Sequence, residues 1–234
     1  MGKYLNQSRF LVAVDCIVFG FDGTHLKILL VQRVLEPEAG KWSLMGGFVQ
    51  KEESADEAAT RILRGLTGLD GVYLEQLHSF SKPDRDPIER TLSVAYFSLI
   101  DIHQYEKQIT DQYHAEWFLL PEMPHLIFDH NQMVQMAKEK LRYKATIHPI
   151  LFELLPDRFT LPLIQCLFEN VFETTFDKGN FSRKLVSTGM LIRQPEKNME
   201  GSKKGAYYYK LDIKSYKTNF HEVQRLVPFQ NTGS

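Results

Sequence analysis

The stretch from Gly47 to Leu69 places the tightest limit on how this chain can fold. A glycine turn leads into a segment where Ala55, Ala58, Ala59, Ile62 and Leu66 recur at helical spacing, which predicts a helix with one buried stripe. Ser54 with Glu57 three residues later forms a capping-box signature, so the helix starts there. Gly65 within the helix costs roughly 1 kcal/mol against Ala, which points to close packing or to the approach of a ligand.

Gly47, Glu53, Arg61, Gly68 and Leu69 fall at the intervals of the Nudix box, which this stretch resembles. That box runs Gly, five residues, Glu, seven residues, then Arg-Glu-apolar-any-Glu-Glu-any-Gly-apolar. The three glutamates after the arginine would stand at Ile62, Gly65 and Leu66, and none of these residues offers an oxygen. Hydrolysis of a diphosphate bond needs Mg²⁺ to neutralise charge and activate water. Mg²⁺ in turn needs hard oxygen ligands in near-octahedral geometry. The expectation is a Nudix-like module with no catalytic residues, no metal and no cofactor, although Glu53 and Glu57 remain as carboxylates for a residual ion. The fold alone does not carry the chemistry.

A chain of 234 residues has room for one large domain or two small ones. Cys16 and Cys166 lie far apart and form no zinc-type spacing, so a reduced, cytoplasmic protein is expected. The apolar run Phe10 to Phe21 is interrupted by Asp15 and is too short to span a bilayer. Charge is uneven along the chain. Between Lys178 and Lys217 ten basic residues face three acidic ones, whereas the first part of the chain is net acidic. On charge alone a basic back half suits equally a polyanionic partner and a solvated, lysine-rich face.

Phe10 to Phe21 reads as a strand, Asp22-Gly23 as a turn and Leu26 to Val34 as the antiparallel return strand. Arg33 closes that strand as Gln-Arg, a further Nudix feature, whereas Met45 stands where Nudix enzymes usually carry proline. Strands near Leu74 to Phe80, Thr91 to Ile100 and Ala115 to Phe118 follow. Asp129 is positioned to cap a helix carrying Met133, Met136, Ala137 and Leu141 as core. Asp15 in mid-strand needs either a partner or a site to point into. Small-molecule recognition calls for convergent polar groups beside an aromatic face. Asp15, Arg33, Trp42, His78, Asp84 and Asp86 are the candidate effector-binding residues.

Beyond Ile147-His-Pro149 the pattern changes. Thr160 caps a helix bearing Leu161, Ile164, Leu167, Phe168, Val171 and Phe172 on one face. Asp177 caps a second, basic helix ending at Gly189, with Phe181, Leu185 and Val186 toward the core. Lys178, Asn180, Ser182, Arg183, Lys184 and Ser187 are its candidate DNA-binding residues, because Arg and Asn fork to base edges and Lys and Ser reach phosphates. Two strands, Met190 to Arg193 and Ala206 to Leu211, bracket a wing tip with Lys203 and Lys204. The Tyr207–Tyr209 run reads as sheet packing, and a polar, partly disordered tail is expected after Phe220.

The Asp84-Arg-Asp-Pro87 loop, the Val94-Ala-Tyr-Phe97 strand, Phe128-Asp-His130, Leu154-Leu-Pro156 and Lys178-Gly-Asn-Phe181 resemble the bacterial Nudix-related transcription regulators. That group includes NrtR, which controls NAD metabolism, and the arabinose-responsive AraR, which the chain resembles most. The resemblance implies an α+β chain: a degenerate Nudix fold, a mixed sheet between helices, over residues 1–148, and a winged helix-turn-helix over 149–234. It implies a homodimeric repressor on palindromic double-stranded operator DNA, released by a small-molecule effector. L-Arabinose is favoured over ADP-ribose, and a Nudix pyrophosphatase is the remaining alternative.

Overall fold

The computed structural model describes residues 6–109, 114–200 and 204–219. Lys203 and the tail expected to be disordered after Phe220 lie outside them. Among the described residues no helix is long and apolar enough to cross a membrane.

The elements of the first part are β1 (Leu11–Phe21), β2 (Leu26–Gln32), β3 (Trp42–Ser43), β4 (Met45–Phe48), α1 (Ala55–Thr67), β5 (Glu75–Phe80), β6 (Thr91–Asp101), α2 (Ile102–Tyr105), β7 (Ala115–Leu119) and α3 (His130–Ile147). Seven strands form one sheet in the order β3-β2-β1-β6-β5, with β4 paired to β1 and β7 to β2. β1 is its centre: Val14 and Cys16 through Phe19 are fully buried, as a run of Val, Ile and Phe covered on both faces must be. The turn after it is built as its sequence asks, with Asp22 Oδ1 accepting from the backbone N–H groups of Thr24 and His25 and Gly23 at φ 93.

α1 begins with both halves of its capping box, and Gly68 ends it in the left-handed region at φ 77. Its buried stripe is Ala58, Ala59, Ile62, Leu63 and Thr67. Leu66, expected inside, is only half-buried, and Leu63 takes the core position instead.

The second part holds β8 (Phe159–Thr160), α4 (Leu161–Phe172), α5 (Lys178–Ser187), β9 (Leu191–Asn198), β10 (Ala206–Leu211) and α6 (Ile213–Asn219). β8, β10 and β9 make a three-stranded antiparallel sheet in that order. Thr160 accepts from the Leu163 N–H, and Asp177 accepts from the Asn180 N–H at 2.8 Å, so both predicted caps form. Phe168 and Phe181 meet edge to face at 5.4 Å, joining α4 to α5 around a core that includes Ile164, Leu167 and Leu185. Val186, expected to face that core, is 45 % exposed. Leu185 and Phe181, four apart, already fill the apolar face, and Val186 is rotated away from it.

The chain divides into two compact units, discontinuous in sequence. One comprises Met1–Phe19, Ile28–Ser98 and Lys107–Ala137, and the other Gly20–Lys27, Leu99–Glu106 and Lys138–Ser234. Within the second unit Asn170 of α4 donates to the Thr24 carbonyl and accepts from the Leu26 N–H, which ties the β1–β2 turn to the helical part.

Candidate effector site and DNA-binding face

α1 carries the positions that resemble the Nudix box. Ile62 is 6 % exposed and packs on the backbone of Gly47, where an added Cβ would lie 2.7 Å from Ile62 Cδ1. A metal-ligand position is therefore filled with hydrocarbon. At Gly65 an added Cβ would meet nothing within 4 Å, so the second missing carboxylate leaves open space. Glu53 is gripped by Arg61, with Nε at 2.8 Å and Nη2 at 2.5 Å, and also accepts from the Gln50 N–H. These contacts, the arginine first, hold its carboxyl down to about 2. Glu57 spends one oxygen on the Ser54 N–H and hydroxyl. Both leftover carboxylates thus have structural work, and among the described residues no group of three His, Cys, Asp or Glu side chains is arranged to hold a metal ion.

The exposed side of α1 lines an open groove of about 710 Å³ with Asp56, Glu57, Thr60, Arg61, Arg64 and Gly65. Arg64 lies 3.6 Å from Asp70 and is two-thirds exposed. The Tyr96 hydroxyl donates to Asp56, and burial together with that carboxylate raises the phenol above its usual range. The groove combines two guanidinium groups and the carboxylates of Asp56 and Glu57 with a helix surface free of side-chain bulk at Gly65.

A second polar cluster lies inside the same unit. Asp15 is 4 % exposed. Its Oδ2 accepts from Ser93 Oγ at 2.5 Å and stands 3.6 Å from Arg85, and its Oδ1 is 3.5 Å from His130 Nε2. Arg85 grips Asp129 through two bonds, at 3.0 and 2.7 Å. His130 Nδ1 accepts from the Leu44 N–H at 3.2 Å, which puts the ring proton on Nε2, toward Asp15. Burial lowers the pKa of His130, keeping it neutral, against the opposing pull of Asp15. Gly46 fits over this cluster because a Cβ there would come 2.3 Å from Asp15 Oδ1.

The other candidate effector residues are distributed. Arg33 is half-buried, donates to the Leu35 and Pro37 carbonyls and lies over the Phe128 ring at 5.6 Å. Phe128 in turn meets His130 edge to face, so Arg33 reaches the Asp15 cluster through one ring. Trp42 packs edge to face on Phe118 at 4.7 Å. His78 is exposed on β5 at the end of the sheet, and Asp84 is exposed in its loop. Asp86 accepts from the Ile88 N–H and closes a turn. Asp129 directly precedes α3, as expected of a cap: its carbonyl accepts from the Gln132 and Met133 N–H groups, while its carboxylate binds Arg85. The sequence offers Arg85 and His130 only as parts of motifs, and Asp129 only as a helix cap. A buried Asp15 in search of a cation was the available signal for Arg85.

On α5 the side chains of Lys178, Asn180, Arg183, Lys184 and Ser187 are exposed and Ser182 is half-buried. Arg183 donates to Asn180 Oδ1 at 3.0 Å, one turn back. Lys204 is exposed at the wing. An exposed polar helix after a helix and a tight turn, beside a basic β-hairpin, is the arrangement that reads duplex DNA.

Residues 9–138 match the NUDIX domain and residues 151–211 match the NrtR DNA-binding winged helix domain. The ADPR responsive transcriptional repressor NtrR of Acinetobacter baylyi is 33 % identical over 90 % of this chain and 85 % of its own length. The chain belongs to the NrtR family of Nudix-related transcriptional regulators. The crystal structure of Shewanella oneidensis NrtR complexed with a 27mer DNA superposes with a TM-score of 0.75 at 30 % identity, covering 88 % of this chain and 95 % of that one. The NUDIX domain of the same NrtR, complexed with ADP ribose, gives 0.50 at 31 % identity over 60 % of this chain and 99 % of that domain. An ADP-ribose pyrophosphatase of Methanocaldococcus jannaschii is 36 % identical over 61 % of this chain and 79 % of its own length. The NrtR-type architecture, a mixed-sheet Nudix domain followed by a winged helix, is the α+β organisation that the sequence implied.

Proposed function

We propose that this NrtR-family chain is a transcriptional repressor that binds operator DNA through α5 and the β9–β10 wing and is released by ADP-ribose. The observation that carries the non-catalytic part is Ile62 packed on Gly47, with Glu53 consumed by Arg61. A site so arranged keeps the Nudix surface for a diphosphate but has lost the oxygens that would hold Mg²⁺. We assign the diphosphate to the α1 groove, where the exposed Arg64 supplies a cation, Arg61 shares its charge with Glu53, and Gly65 supplies room. Loss of carboxylates there also removes repulsion toward a phosphate.

ADP-ribose replaces L-arabinose as the favoured effector. Three of these relatives are described by ADP-ribose: a responsive repressor, a complex of a Nudix domain and a pyrophosphatase. The functional division stays at residues 1–148 and 149–234, acting as a homodimer on a palindromic site whose half-sites lie one helical turn, about 34 Å, apart. Release requires ADP-ribose to bind the DNA-competent and DNA-incompetent states unequally.

Fluorescence anisotropy on the protein's own upstream DNA tests this, with ADP-ribose and L-arabinose titrated separately. Release by ADP-ribose alone is expected. Release by arabinose alone would return the assignment to sugar sensing. A pyrophosphatase reading is favoured by one specific observation, the likeness to the archaeal enzyme. Mg²⁺-dependent formation of AMP from ADP-ribose, abolished in Glu53→Gln, would establish it in place of the silent site proposed here.

A further inference from the structure

The wing holds a cation pair that its sequence does not announce. In β9 Arg193 and Lys197 are four residues apart, and their register partners on β10, Tyr209 and Tyr207, are two apart. β9 therefore carries two extra residues against its partner, a bulge centred on Pro195. β9 is the edge of its sheet, where the missing N–H of a proline breaks no ladder. In regular strand geometry residues four apart stand roughly 13 Å from one another. The bulge shortens that span so that both cations reach one ring: Arg193 Cζ lies 3.7 Å and Lys197 Nζ 4.5 Å from the centroid of Tyr207.

Two like charges on one aromatic ring repel, and the negative faces of the ring offset part of that repulsion. Both side chains are exposed. Among the described residues neither has a carboxylate within ion-pair distance, although Glu196 lies between them in sequence. Lys197 is further fixed by donating to the Lys204 carbonyl at 3.1 Å. The result is two solvent-facing cations held against one ring, Lys197 by a backbone carbonyl as well. Ordering them before contact removes a rotamer-entropy cost that flexible lysines would meet on binding. Lys and Arg positioned this way suit phosphodiester oxygens, and a bare cation pair has no means of reading a base.

We propose that Arg193 and Lys197 form a phosphate clamp in the wing, with Tyr207 as the positioning residue that holds both. The clamp rests on the DNA-binding reading above and adds to the helix residues a contact that is indifferent to sequence.

The test measures affinity as a function of salt on two duplexes, the upstream DNA and one of random sequence. Arg193→Ala/Lys197→Ala is expected to make the log–log salt slope shallower by about 2 per bound protomer on both duplexes. Tyr207→Phe keeps the ring and should bind as the parent does, whereas Tyr207→Leu should bind both duplexes several-fold more weakly. Melting curves check that each variant is folded; should Tyr207→Leu unfold, the other two variants decide. An unchanged slope in the double variant, or a Tyr207→Phe protein that has lost affinity, overturns the clamp. Arg183→Ala/Lys184→Ala on α5, run beside them, shows whether the DNA reading stands independently. If the parent protein binds neither duplex, that reading falls and the clamp with it.

Discussion

Asp15 shows how one residue in an unfavourable place organises its surroundings. A carboxylate in the middle of the central strand would be intolerable without compensation. Arg85 comes from a loop, His130 from the start of α3 and Ser93 from the neighbouring strand to supply it. Removing a single partner leaves charge buried and unmatched. Arg85→Met is expected to destabilise the first unit by about 3–5 kcal/mol, measured by denaturant unfolding, because both Asp15 and Asp129 lose their cation. A second prediction follows from His130. Its folded pKa lies below the ordinary value of 6.5, so the unfolded chain takes up a proton first as pH falls. The stability it contributes is present above 6.5 and drains away as pH drops from there toward the folded value. The loss of stability between about pH 7.5 and about 5.5 should accordingly be smaller in His130→Gln than in the parent.

At the scale of elements, α1 departs from the Nudix box at three positions without harm to the helix. Its caps, dipole charges and buried stripe are intact, with Asp56 and Glu57 in the first turn and Arg64 in the last. Of the three positions where the box carries glutamate, Ile62 has joined the core, Leu66 is half-buried and Gly65 is left as open surface. Gly65→Ala should stabilise the helix by about 0.5–1 kcal/mol, since its Cβ enters empty space. Gly65→Glu should keep the fold but weaken ADP-ribose binding by placing an anion in the groove. Calorimetry of both variants checks this, and unaltered ADP-ribose affinity in Gly65→Glu would remove the diphosphate from the α1 groove. α5 makes a related point. Its core contacts are two residues, Phe181 and Leu185, which leaves nearly all of its remaining surface for a partner.

For the molecule as a whole, much was legible in sequence because the signals were local. The capping box of α1, the caps Thr160 and Asp177, the Asp22-Gly23 turn and the apolar period of α4 each depend on residues within a few positions of one another. The order of a Nudix-like unit and a basic winged helix was readable for the same reason, as was the loss of three glutamates, which is a fact of composition at fixed spacing. Tertiary structure alone decided the rest. The partners of Asp15 lie 70 and more positions away in sequence, and burial determines which of the many available charges must meet it. The fate of Glu53 depended on Arg61 folding back onto it across the α1 entry loop. The tyrosine that carries Arg193 and Lys197 emerged only from the register of two strands and a bulge, because strand pairing brings together residues that no sequence period relates.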